Sequence, residues 1–185
     1  VVNALSKEMS AEVRRGGKIY RQTYAYGKIT SEVTVIGECP IEETGTIIHF
    51  KPDETIFKEG TVYDFKIIAQ RLSELSFLNK GIKLILIDKR GEGKTETFYH
   101  PNGISEFIPF LNRNKKPLHK DVIIFEKEKD DVIVDVAMQF TDSYTENIYS
   151  YTNNIHTHEG GTHEFGFKTA LTRSVNEYAR RMKLL

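Results

Sequence analysis

The sequence predicts an α+β fold, and three patterns carry that reading. Val132, Val134, Val136, Met138 and Phe140 alternate over nine residues with Asp135 and Gln139 between them, the period of a strand with one face buried and one wet. Phe167, Leu171, Val175, Tyr178 and Met182 recur at spacings of four, four, three and four, which draws one stripe along a helix. Phe65, Ile68, Leu72, Leu75 and Leu78 repeat that helical spacing within residues 62–78.

In chain order, Val1, Val2, Ala4 and Leu5 predict the buried side of a short helix ending near Met9. Arg14-Arg15-Gly16-Gly17 is a turn, followed by aromatic-rich residues 18–26 and by residues 30–36, both read as antiparallel strands. A third strand follows the Thr44-Gly45 turn and stops at Pro52. The helix over 62–78 ends at Asn79-Lys80-Gly81, where Gly81 can take the left-handed conformation. Residues 82–88 and 94–99 form a hairpin around Arg90-Gly91-Glu92-Gly93. His100-Pro101-Asn102-Gly103 then punctuates the chain and sets an expected domain limit, with 1–101 before it and 102–185 after it. Beyond it come a short helix through Ile104, Phe107, Ile108 and Leu111, a break at Lys115-Lys116-Pro117, strands at 122–125, 132–140 and 147–151, and the last helix. Gly160-Gly161 permits a sharp turn into that helix, Thr162 is its expected N-cap, and Glu164 puts negative charge in its first turn. Its apolar stripe is expected to pack, while Lys168, Arg173, Arg180, Arg181 and Lys183 present cations.

Composition narrows the class. No apolar run approaches the roughly 20 residues of a membrane helix, and no secretory signal is visible at the N-terminus. Cys39 is alone, so no internal disulfide forms, which suits a reducing cytoplasm. Lys plus Arg and Asp plus Glu are 26 each, so a nucleic-acid role must rest on local cations. Val1 is not a start methionine, and Met182-Lys183-Leu184-Leu185 stops inside a helical pattern, which reads as an internal fragment of something larger.

Three motifs invite chemistry. His156, His158, Glu159, His163 and Glu164 are metal-ligating types, but His158 and His163 stand five apart across two glycines, which is not the H-E-x-x-H spacing of a helical zinc site. Loop polarity and helix capping are the expected roles, and a metallohydrolase is the third-ranked alternative. Arg90-Gly91-Glu92-Gly93-Lys94-Thr95 ends like a phosphate loop, yet the residues after it read as strand, whereas such a loop must open a helix. Cys39 has no basic neighbour to lower its pKa and is read as an inert thiol.

Four ordered segments carry a resemblance: VVNALS at 1–6, TGTIIHFKPDETIF at 44–57, RLSELSFLNKGI at 71–82 and TNNIHTHEGGTHEFGFKTALTRSVNEYAR at 152–180. Together they resemble the ATPase subunit of the bacterial type IIA topoisomerases, without separating gyrase from topoisomerase IV. The resemblance implies the C-terminal part of a GHKL-type ATP-binding domain over 1–101, then part of a transducer domain of the ribosomal-protein-S5-domain-2-like class over 102–185. It implies that Thr46 contributes to the adenine pocket and that Ile48 is similar to an apolar residue lining it. Arg15 stands for an arginine at the pocket mouth, where aminocoumarin inhibitors bind, with Arg14 as the alternative register. Val1 and Val2 resemble the helix behind the nucleotide lid.

The same resemblance implies ATP and Mg2+ as cofactors. The magnesium-holding asparagine, the water-activating glutamate and the glycine-rich lid of the family fall upstream of VVNALS, and its QTK-loop lysine falls downstream. This chain alone is therefore expected not to hydrolyse ATP. Implied partners are DNA, a second copy through the ATPase region, and the breakage-reunion subunit, with a cytoplasmic location and no membrane. Arg173 and Lys168 are the expected DNA-contacting residues. The alternative reading is a non-enzymatic nucleic-acid-binding module.

Overall fold

Ser6 closes a single 3-10 turn, Asn3–Leu5, and opens the central strand of a sheet. Its hydroxyl donates to the Val2 carbonyl at 2.7 Å. The helix expected through Met9 is thus reduced to one turn. A short helix must nucleate at a net cost, while β1 (Ser6–Arg15) gains ladders on both edges. In this computed structural model, which describes residues 1–185, β1 pairs antiparallel with β2 (Lys18–Ala25) on one side and with β5 (Gly45–Pro52) on the other. Gly16 and Gly17, at φ 59° and 77°, make the two-residue turn between β1 and β2 with the twist such hairpins need. β3 (Lys28–Ile29) and β4 (Thr34–Glu38) both pair with β2. These elements belong to the first of two compact units, Val1–Asp64.

The second unit, Phe65–Leu185, starts with α1 (Phe65–Leu78), three residues later than the helix expected from 62. β6 (Lys83–Asp88) and β7 (Lys94–Tyr99) make the expected hairpin, with Arg90-Gly91-Glu92-Gly93 in its turn and strand after it. α2 (Ile104–Leu111) follows Gly103. The core lies here. Phe77, only 2% exposed, stacks on the His100 ring at 3.5 Å and on Phe107 at 4.9 Å. Ser76 Oγ meets His100 Nδ1 at 2.7 Å. Gly103 sits against this cluster: a Cβ there would come within 3.3 Å of the Phe77 carbonyl.

β8 (Ile123–Lys129) and β9 (Val132–Met138) form a second hairpin. The alternation read as far as Phe140 stops at Met138, because the Phe140 N–H turns to the His119 ring instead of a strand partner. The strand expected at 147–151 is only β10 (Tyr151–Thr152), paired with β11 (Ile155–His156). Asn153 and Asn154, at φ 49° and 65°, make its turn, a conformation that asparagine tolerates better than most residues. α3 (Thr162–Arg181) has Gly161, not Thr162, at its N-cap position. Its stripe does not pack as expected. No residue of α3 is buried, and Val175, Tyr178 and Met182 are each about half exposed.

The compact units part at Asp64/Phe65, ahead of the domain limit expected at residue 101. The reason lies in what α1 binds. Arg71 Nη2 donates to the Asn154 carbonyl at 2.8 Å, Asn154 Nδ2 to Asn79 Oδ1 at 2.8 Å, and the Tyr151 hydroxyl to Glu74. Those bonds, with the Phe77–Phe107 stack, tie α1 to residues beyond 101.

Candidate nucleotide-binding face

Register places the expected nucleotide residues. Val13 lies opposite Thr46 and Ala11 opposite Ile48 in the β1–β5 ladder. Directly opposed residues share a sheet face, and so do residues two apart on one strand. Met9, Ala11, Val13 and Arg15 of β1 therefore stand on one face with Thr46, Ile48 and Phe50 of β5. A hydroxyl, an apolar floor and a cation are brought together.

The two arginines separate cleanly. Arg14 points to the other face and forms an ion pair with Glu43 at 3.2 Å. Arg15, exposed where β1 enters its turn, stands on the Thr46 face and is the one positioned to meet a ligand there. Val1 is not brought in. It is 99% exposed at the chain start. Val2 instead lines, with Leu5, Phe50, Phe57, Val62 and Tyr63, a groove of ≈ 260 Å³ at the Phe50 end of β5. The sequence gives no sign of Phe57, Val62 and Tyr63 as groove residues, since 53–64 carry no periodic signal.

This face suits a flat heteroaromatic ring. Ile48 and Val13 offer apolar contact, Thr46 can donate or accept one hydrogen bond, and Arg15 can meet negative charge at the rim. The β1 and β5 residues of the face include no carboxylate, so they offer no seat for Mg2+.

The cations expected to meet DNA have other partners. Lys168 Nζ lies 2.8 Å from Glu146 and 3.0 Å from Glu164, and the bonds to Glu146 and then Glu164 hold its ammonium above the ordinary range. Arg173 Nε lies 2.8 Å from Glu177. Glu164 also accepts from Ser150 Oγ at 2.7 Å, and this bond, then that from Lys168, keeps its carboxyl low. The histidines do not converge. His156 Nδ1 meets His158 Nδ1 at 2.8 Å, whereas His163 Nε2 lies 3.3 Å from Thr157 Oγ1.

A solved structure shares this arrangement of strands and helices. The chain is similar to the 43K ATPase domain of Thermus thermophilus gyrase B, solved in complex with an aminocoumarin: TM-score 0.87 and 36% identity over 99% of this chain and 50% of that one. The chain thus shares the fold of a gyrase B ATPase domain. The DNA gyrase B family model matches residues 103–185. The gyrase B protein of Bacillus cereus is 50% identical across all 185 residues, and that of Halalkalibacterium halodurans 49% identical across 184. Across its whole length the chain is similar to DNA gyrase B proteins. It spans 45% and 29% of the lengths of those two relatives.

Proposed function

We propose that this chain forms one wall of the ATP site, and the start of the transducer, in the ATP-hydrolysing subunit of a bacterial type II DNA topoisomerase. Such a subunit couples ATP binding and hydrolysis to DNA strand passage and supercoil control. The observation that carries this reading is the shared face of Thr46, Ile48 and Arg15, fixed by the β1–β5 register. The Thermus relative was solved with an aminocoumarin, and in this reading Arg15 is a rim contact for that inhibitor class.

In this reading residues 1–101 are GHKL-type and 102–185 transducer, the latter adjoining the start of the family match at 103. Thr46 orients the base through one hydrogen bond, Ile48 and Val13 exclude water from its plane, and Arg15 draws negative charge to the mouth. ATP, once bound with Mg2+ in the whole subunit, supplies the phosphoryl chemistry. DNA, a second copy of the subunit and the breakage-reunion subunit are its partners, in the cytoplasm. No helix here is long and apolar enough to cross a membrane. The non-enzymatic nucleic-acid module gains no support, since the matches run through residues 1–101 as well.

The test is Thr46→Val in the complete subunit, which removes the hydroxyl and keeps the shape. Loss of one hydrogen bond, about 1 kcal/mol, weakens nucleotide binding by roughly 5- to 10-fold. Unchanged affinity for a non-hydrolysable ATP analogue in both Thr46→Val and Arg15→Ala would remove this face from the site.

A further inference from the structure

The loop between α2 and β8 holds four cations, Arg113, Lys115, Lys116 and Lys120, and none is in an ion pair. Lys168 and Arg173 on α3, by contrast, each lean on a carboxylate. The loop's own carboxylates are Asp121 and, across the strand-like bridge, Asp142, so positive charge is in excess. From this charge, and from the stiffness of the loop backbone, we propose that residues 113–120 are a contact surface for the phosphate backbone of duplex DNA. The proposal rests on the topoisomerase reading and shifts the DNA contact within residues 102–185 from α3 to this loop.

The loop is held rigid by its backbone, which leaves its side chains free. The Leu118 N–H donates to the Phe140 carbonyl at 2.9 Å and the Asp142 N–H to the Lys116 carbonyl at 3.0 Å, around the Pro117–Thr141 bridge. The His119 ring is a pin with one allowed tautomer. Nε2 must accept from the Phe140 N–H at 2.9 Å, so Nδ1 carries the proton and donates to the Asp121 carbonyl at 2.7 Å. Gln139 Nε2 donates to the His119 carbonyl at 3.0 Å, while Gln139 Oε1 accepts from Asn112 Nδ2 at 3.0 Å. Arg113 lies over the Phe110 ring with its guanidinium carbon 4.6 Å from the centroid, so its edge can still fork onto a phosphate.

A loop ordered before binding loses little entropy when a ligand arrives. Lysines act as point charges that meet phosphate without reading bases, so the expected binding is insensitive to sequence. Lys168 and Arg173 would first have to give up Glu146, Glu164 and Glu177.

The test measures fluorescence anisotropy of two unrelated duplexes of about 20 base pairs with the complete subunit, between about 50 and 200 mM salt, with circular dichroism to check folding. The Lys115→Gln/Lys116→Gln/Lys120→Gln variant is expected to bind at least about 10-fold more weakly at the low-salt end, and to lower the salt slope by about 3, one for each phosphate no longer neutralised. His119→Phe keeps every cation and releases the pin, so affinity falls while the slope holds. Unchanged binding in the triple-Gln variant, with loss in Lys168→Gln/Arg173→Gln, overturns the loop and leaves the DNA reading intact. A parent chain that binds neither duplex overturns both. Tighter binding of polyglutamate than of DNA, abolished by the triple variant, overturns DNA as the ligand in favour of an acidic protein segment.

Discussion

Arg14 and Arg15 are neighbours in the chain and opposites on the sheet. Sequence alone leaves both registers open, because two adjacent arginines look alike until a strand assigns them faces. β1 does so: Arg14 goes to Glu43 and Arg15 to the Thr46 face. In the complete subunit, Arg15→Ala should weaken nucleotide or aminocoumarin binding by about 10-fold or more, as loss of a charge-assisted contact of about 1.5–3 kcal/mol requires. Arg14→Ala should leave it within about 2-fold, because an exposed ion pair contributes little. Calorimetric titration of both variants decides, and equal losses would mean that register does not set the pocket mouth. Asp88 gives a second prediction at this scale. Hydrogen bonds from the Arg90 side chain and then its backbone N–H lower its carboxyl from the ordinary 3.8 to about 2. A depressed folded value means that the pair's stabilisation is complete above pH 3.8 and is lost as pH falls through about 2. Carboxyl NMR should show Asp88 titrating at the bottom of that window, and Arg90→Ala should return it toward 3.8. An unmoved midpoint in the variant would refute the pairing.

Elements are legible where they carry their own period and obscure where distant partners decide. The β6–β7 hairpin, α2 and most of α3 follow from spacing and turn residues, as does the hairpin reading of Gly91 to Lys94. β1 is hidden because the apolar residues 1–5 look helical until β2 and β5 pair with residues 6–15. The β10–β11 hairpin escapes the sequence reading because two asparagines at positive φ, rather than residues 147–150, set it. The Thr46–Ile48 half of the candidate site is readable by resemblance, but its groove-lining partners Phe57, Val62 and Tyr63 are not. Nor is the bond between Tyr151 and Glu74, residues 77 positions apart. Burial pushes the Glu74 carboxyl up, yet the Tyr151 and Arg71 hydrogen bonds together hold it below its ordinary value. Tyr151→Phe removes one of these donors from a half-buried acceptor and should destabilise the second unit by about 1–2 kcal/mol. Phe77→Ala, at its core, should cost about 3–5 kcal/mol. Urea denaturation followed in the far ultraviolet measures both. A Tyr151→Phe cost equal to that of Phe77→Ala would place Tyr151 in the core, and a zero cost would mean that α1 is not held by the hairpin.

At the scale of the whole molecule, exposed apolar surface is the telling quantity. Phe77 and Phe107 are the only apolar residues buried in the chain. Ile47, Ile48 and Phe50 on β5, Val33 and Val35 beside β2, and the lower half of the α3 stripe all face outward. β5 also has one edge with no strand paired to it, which leaves backbone donors and acceptors open beside apolar side chains. Ile48 and Phe50 share one sheet face beside that open edge, and an exposed apolar face of this kind associates or binds apolar dyes. The 185-residue chain by itself should therefore enhance anilinonaphthalene sulfonate fluorescence strongly at neutral pH. Its sedimentation coefficient should also rise with concentration. The triple-Gln variant changes no apolar side chain of the DNA-contact loop and should associate as the parent does. Ile48→Asp/Phe50→Asp on the β5 face should suppress the dye signal and the association together. A dye-silent, strictly monomeric parent chain would show instead that these side chains are covered in solution, and the open nucleotide face would then have to be reconsidered.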